Sequence, residues 1–117
     1  MQQNNFTLSI LTWYNKQKRI LPFRDIDDPY KIWLSEVMLQ QTQIETVIPY
    51  FQKWISKYPT IISVAAADQE CLLKLWEGLG YYSRCRNFHK ATKIVVEKYG
   101  GAIPDKWSEF RALPGVG

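Results

Sequence analysis

The sequence predicts an all-α fold, and three observations carry that reading. Apolar residues recur every three or four positions through most of the chain, and no stretch alternates with a period of two. Gly and Pro fall mainly between the periodic runs. A first helix covers roughly residues 6–18, with Phe6, Ile10, Trp13 and Tyr14 on one face. Leu21-Pro22-Phe23-Arg24 is extended, because a residue preceding Pro is pushed out of the helical region. Asp28-Pro29 supplies an N-cap and a Pro at the first helical position, starting a helix that carries Glu36.

Residues 43–58 give the clearest pattern, with Ile44, Val47, Ile48, Phe51, Ile55 and Tyr58 on one stripe and Pro49 expected to kink the first turns. Thr60 and Asp68 cap two shorter helices, roughly 61–66 and 69–77, and Gly78-Leu79-Gly80 breaks the second. A long helix runs from about Tyr82 to Tyr99 and stops at Gly100-Gly101. Asp105 is expected to cap a short helix ending near Ala112. The chain reads as one domain over 1–117: an N-terminal helix in 1–20, then a helical portion in 21–117. Leu113-Pro114-Gly115-Val116-Gly117 reads as a turn leading into a further element, as in a piece of a longer protein.

Composition narrows the classes of function. Fifteen Lys and Arg against eleven Asp and Glu give a net charge of +4, a balance that suits nucleic acid without singling it out. Five Trp and seven Tyr offer large amphipathic surfaces for a core or a flat ligand. No apolar run approaches the roughly 18 to 20 residues of a membrane span, and the N-terminus lacks the basic and apolar regions of a secretory signal. Cys71 and Cys85 have no metal-binding spacing, and they fall short of the roughly four thiolates an iron–sulfur cluster requires. No metal or cofactor is expected on this chain.

Glu36 is the first residue that packing alone does not explain. Its helical neighbours three and four residues away are Ile32, Trp33, Leu39 and Gln40, so its carboxyl points into a mostly dry region. Desolvation disfavours the charged form and poises such a group as a general acid near neutral pH. A buried Glu paired with an Arg, or capping a helix end, fits the same spacing. Gln40-Gln41-Thr42-Gln43 then offer donors and acceptors where the helix ends, suited to an orphaned base edge or to an ordinary polar turn.

In Gly78-Leu79-Gly80-Tyr81-Tyr82-Ser83-Arg84-Cys85-Arg86, the glycines let backbone approach another surface, and two rings then open a basic helix. Residues 81–98 hold five basic side chains against one acid, with Arg86, Lys90 and Lys93 on one face. Phosphate contact and a solvated face both fit. His89 is expected at the surface within this stripe. The terminal glycines, Gly115 and Gly117, allow clustered backbone N–H groups to bind an anion.

Taken together, "PYKIWLSEVMLQQTQIETVIPYF", "LWEGLGYYSRCRNFHKA" and "ALPGVG" closely resemble the start of MutY-type adenine DNA glycosylases of the helix-hairpin-helix base-excision superfamily. The resemblance runs from about Trp13 to Gly117. It implies part of a six-helix barrel, cut within the hairpin. It implies excision of adenine mispaired with 8-oxoguanine or guanine in double-stranded DNA, in the bacterial cytoplasm at the nucleoid. The family's catalytic Glu falls on Glu36, which would protonate adenine at N7. The glutamine that enters the helix falls on Gln41, flanked by Gln40 and Thr42, and the tyrosine wedge falls on Tyr81. Arg24 would lie near the adenine pocket, with Phe23 replacing the family's Trp. Arg84, Arg86, Gly115 and Gly117 would face DNA.

The resemblance places the family's catalytic Asp, its [4Fe–4S] cysteines and its 8-oxoguanine-reading domain beyond Gly117, so the chain by itself is expected to lack turnover. Two other readings remain at this stage. One is an endonuclease III-like enzyme for oxidised pyrimidines, whose corresponding helix typically ends in Ser-Ala-Gln without the Glu. The other is a non-catalytic DNA-binding helical module.

Overall fold

The computed structural model describes residues 28–40 and 42–116, and every regular element among them is a helix. These are α1 (Pro29–Leu39), α2 (Ile44–Lys57), α3 (Ile61–Ala65), α4 (Gln69–Trp76), α5 (Tyr82–Tyr99) and α6 (Trp107–Phe110). The expected helix at 6–18 and the extended segment at 21–24 lie outside the described residues.

Local chemistry starts most of these helices where the sequence places them. Asp28 Oδ1 accepts from Tyr30 N–H at 3.0 Å, with Pro29 at the first helical position. Thr60 and Ser63 form a reciprocal capping box, each side chain accepting from the other's backbone N–H at 3.1 Å. Asp68 accepts from Glu70 N–H at 3.1 Å. Gly100 closes α5 in the left-handed region at φ +63°, and both Gly100 and Gly101 donate to the Val95 carbonyl.

α2 runs through Pro49, whose missing N–H leaves the Glu45 carbonyl without a helical donor. Asp105, in contrast, does not cap α6. The N-cap is Lys106, no side chain bonds there, and the helix is a single turn held by Glu109 and Phe110 N–H groups on the Lys106 carbonyl. Tertiary packing positions that turn, because Phe110 is buried with its ring edge-on to Trp33 at 5.3 Å.

α5 is the shared partner of the bundle, packing against α1, α3 and α4, while α2 packs against α1 and α4. The core between them is aromatic. Trp33 meets Phe88 of α5 at 4.7 Å, and Trp54 of α2 meets Trp76 of α4 at 5.9 Å, both edge-to-face. Burying Trp54 requires an acceptor for its indole N–H, and Tyr30 Oη provides one at 3.0 Å. Tyr30 in turn donates to the Tyr58 carbonyl at 2.6 Å, tying the two ends of the α1–α2 pair.

His89 corrects the sequence reading. It is fully buried rather than part of the exposed basic stripe, and among the described residues neither ring nitrogen makes a hydrogen bond of good geometry, although backbone carbonyls of α3 and the turn after it lie near. A helix side chain flanked by Phe88 and Ala91–Thr92 faces the core whatever its polarity, and α5 turns this face toward α3. Burial lowers its pKa and Lys93 lowers it further, against a smaller opposing pull from the Val64, Ala65 and Ala67 carbonyls. A histidine with a depressed folded pKa contributes stability that is complete above its unfolded value and is lost as pH falls through that window. The urea midpoint is therefore expected to drop between about pH 7.5 and about pH 5.5, around the unperturbed histidine pKa. His89→Leu should flatten most of that drop, and an equally steep fall in the variant would assign it to other groups.

Candidate active site

Glu36 lies in the last turn of α1, half-buried, one turn from the buried Trp33. Among the described residues its carboxyl has no hydrogen bond and no ion pair, so none of them supplies the pairing or capping partner that the spacing also allowed. Burial raises its pKa above the ordinary carboxylate value. Its place near the negative end of the α1 dipole works in the same direction.

What holds this helix end comes from α5. The Arg84 guanidinium donates through Nη1 to the Val37 carbonyl at 2.8 Å, to Met38 at 3.3 Å and to Gln40. These carbonyls lie at the C-terminal end of α1, where helical donors run out, and Val37's also accepts from Gln40 N–H at 3.4 Å. Nη2 reaches Thr42 Oγ1 at 3.3 Å and, at the limit of hydrogen bonding, the Gly80 carbonyl at 3.5 Å. Nε lies buried without an acceptor. Arg84 was expected on the DNA-facing surface; its donors instead turn inward onto this chain's own backbone. The sequence carried one signal of this. Arg84 stands in the first turn of α5, the end where a helix dipole disfavours a cation, and no acid accompanies it there.

Tyr81 sits at the other side of the guanidinium. Its backbone is left-handed (φ 53°, ψ 57°), an arrangement that costs a non-glycine residue about 1–2 kcal/mol. Three contacts hold it there: Trp76 Nε1 donates to the Gly80 carbonyl at 2.9 Å, Arg84 N–H donates to the Tyr81 carbonyl at 2.9 Å, and the guanidinium stacks 5.2 Å from the ring. The ring itself is 60% exposed, a large aromatic surface presented to solvent by a strained backbone.

The remaining candidates divide. Gln40 is exposed at the end of α1, and Thr42 is half-buried, its hydroxyl engaged with Arg84. Gln41, Arg24 and Gly117 lie outside the described residues. Arg86, Lys90 and Lys93 are exposed along α5. Gly115 takes φ +80°, and a Cβ there would stand 2.8 Å from Asn87 Cβ, so the terminal turn approaches α5 as closely as glycine permits. A cavity of about 40 Å³ lies between them, lined by Trp33, Val37 and Gln40 of α1, by Arg84 of α5 and by Pro114 and Val116 of the turn. A larger groove, near 450 Å³, between α2 and α4 includes none of the candidate residues.

The thiols suit neither catalysis nor a metal. Cys71 is exposed on α4, and burial pushes the Cys85 thiol up to about 12, which leaves it protonated and inert. Among the described residues no group of three His, Cys, Asp or Glu side chains could hold a metal ion. No described helix is long and apolar enough to cross a membrane.

Among the described residues, then, a half-buried acid at a helix end and an exposed tyrosine at the start of α5 share an all-helical frame. A family profile described as "HhH-GPD superfamily base excision DNA repair protein" matches residues 34–115. The chain is 44% identical over 113 residues to the adenine DNA glycosylase of Buchnera aphidicola subsp. Baizongia pistaciae, covering 96% of this chain and 32% of that protein. It is 46% identical over 121 residues to the adenine DNA glycosylase of Homo sapiens, covering 96% and 22%.

A thermostable thymine-DNA glycosylase superposes with a TM-score of 0.76 at 27% identity, over 99% of this chain and 54% of that one. A trapped endonuclease III–DNA covalent intermediate, at 22% identity and TM-score 0.73, shares the fold over 100% of this chain and 55% of its own. The chain belongs to the HhH-GPD superfamily of base excision DNA repair proteins. Its similar relatives carry the name adenine DNA glycosylase, and it spans about a third of the length of the bacterial one.

A carboxyl whose folded pKa is raised destabilises the fold as it ionises, so Glu36 costs stability at pH values above its unfolded value near 4.5. Glu36→Gln is expected to raise unfolding stability at neutral pH by about 0.5–2 kcal/mol, the usual gain on relieving a functional constraint. The gain should shrink toward zero below about pH 4.5. Urea unfolding at both pH values measures it, and a variant less stable than the parent at neutral pH would show that the carboxylate is structural.

Proposed function

We propose that the protein carrying this chain is a DNA glycosylase that removes adenine mispaired with 8-oxoguanine or guanine. The observation that carries this reading is Glu36: a carboxyl without a partner among the described residues, on a helix end where burial raises its pKa in the direction a general acid requires. In the reaction, adenine is flipped out of the duplex. Glu36 gives its proton to N7, the bond from the sugar C1′ to N9 breaks with its electron pair leaving on the base, and water adds to the sugar cation, the proton it loses returning through solvent to the Glu36 carboxylate. Tyr81, exposed and rigidly held, wedges into the stack on the 8-oxoguanine side. Gln40, Gln41 and Thr42 enter the helix beside the lesion, and Arg24 borders the adenine pocket.

Double-stranded DNA is the partner. Arg86, Lys90 and Lys93, exposed along α5, offer phosphate contacts, and the Gly115–Gly117 turn offers backbone N–H groups. A [4Fe–4S] cluster would have to draw its cysteines from outside this chain, since one buried and one exposed thiol on different helices do not supply a ligand set. No step above passes through it.

The test uses the complete open reading frame and a duplex containing a single adenine:8-oxoguanine pair. Glu36→Gln should lower the single-turnover excision rate by about 10²–10⁴-fold or more, the usual contribution of a general acid, while mispair binding persists. Retained excision with lost binding would make Glu36 a structural residue. Tyr81→Ala should reduce the preference for 8-oxoguanine over guanine opposite adenine, and an unchanged preference would remove its role as the wedge.

A further inference from the structure

We propose that Arg84 is a positioning residue for this reaction, fixing the end of the Glu36 helix against the Tyr81 turn so that acid and wedge share one geometry. The inference rests on the reading of Glu36 and Tyr81 given above.

One planar group makes both attachments. Its Nη1 gathers the carbonyls that end α1, within one to four residues of Glu36, and its Nη2 takes Thr42 and the Gly80 carbonyl. Its faces carry aromatic rings, Tyr81 at 5.2 Å and Trp76 at 5.5 Å. The two segments joined are more than forty residues apart in sequence, as the Arg84–Val37 separation of 47 records. Among the described residues, no other side chain bonds both to the end of α1 and to the Gly80–Tyr81 turn.

Lysine cannot reproduce this, because a single ammonium lacks the rigid fork and does not stack as a plane. A displacement of about 1 Å between catalytic groups can cost on the order of a hundredfold in rate. Arg84 therefore serves the proposed chemistry without touching substrate.

The experiment again uses the complete open reading frame, with Arg84→Lys as the main variant because it keeps the charge and the stem packing. Single-turnover excision is measured opposite 8-oxoguanine and opposite guanine, alongside mispair binding. Arg84→Lys should lower excision about 10- to 100-fold with binding changed much less, and should reduce the 8-oxoguanine preference. Adding Tyr81→Ala to it should change that preference little further, as expected for two residues acting as one unit. Equal slowing on both substrates, an intact preference, or additive effects in the double variant would overturn the proposal.

Amide hydrogen exchange provides a readout that does not depend on activity. Arg84→Lys should accelerate exchange at both the end of α1 and residues 79–84, leaving α3 unchanged. Acceleration at only one of the two segments, or everywhere, would also overturn it. If the parent protein excises no adenine, the function proposed above fails, while the exchange result still decides whether Arg84 joins the two segments.

Discussion

Two helix ends of opposite polarity meet at the Arg84 guanidinium. α1 finishes there with carbonyls served by few and long backbone bonds (Gln40 N–H to Val37 at 3.4 Å, Thr42 N–H to Leu39 at 3.3 Å) and no basic residue in its own last turn, and α5 begins there with no acidic residue and no side-chain cap. Left alone, both ends would be poor: orphan acceptors at one, an unfavourably placed cation at the other. Extending the arginine of one helix to the carbonyls of the other corrects both faults through one side chain. The geometry follows from that requirement. The guanidinium can reach Val37, Met38 and Gln40 only if the α4–α5 turn brings α5 beside α1, and the left-handed Tyr81 between Gly80 and α5 makes that turn.

The same placement bears on why the Glu36 pKa is raised rather than lowered. A guanidinium paired with the carboxylate would hold its pKa down and leave it ionised, as opposite charges at contact distance do. Here the neighbouring cation is satisfied by backbone and by Thr42, and burial alone governs the carboxyl. The fold thus keeps a positive charge close enough to secure the helix end while leaving the carboxyl unpaired. The cost in stability of burying an unpaired carboxyl is of the sort that active sites impose and that the rest of the core must offset. In this chain the offset is the aromatic stack of Trp33, Phe88 and Phe110 directly beneath α1.

What could be read from the sequence follows the range of the interaction concerned. Asp28, Thr60 and Asp68 act within three residues, and each caps the helix that its local pattern announces. Glycine punctuation works the same way, and α5 ends where Gly100 adopts positive φ. Asp105 misleads because its turn is positioned by Phe110 packing on Trp33, a contact across more than seventy residues that no local pattern carries. His89 misleads because charge clustering along the chain says nothing about which angular face of a helix meets its neighbours. For Glu36, spacing gave the dry neighbourhood but left open a paired carboxylate, and only the three-dimensional course of Arg84 decides where that nearby charge goes. Its best sequence signal, a cation in a first helical turn without an acid, is weak in isolation and clear once the facing helix end is known.

α5 emerges as the element on which the site is assembled, and the order of its residues has a geometric logic. Tyr81 precedes its first turn and is exposed, Arg84 turns inward three residues later, and Arg86, Lys90 and Lys93 return to solvent. Asn87 lies one turn beyond Arg84 and receives the Gly115 backbone, which brings the terminal turn against α5 alongside the basic stripe. Because a helix is stiff, these groups hold fixed spacings along one axis. On the function proposed above, reading a duplex through separate contacts at a base step and at phosphates would call for that rigidity more than for tight individual contacts. Placing ring, clamp, cations and turn on a single helix provides it, and the one strained residue sits where that helix begins.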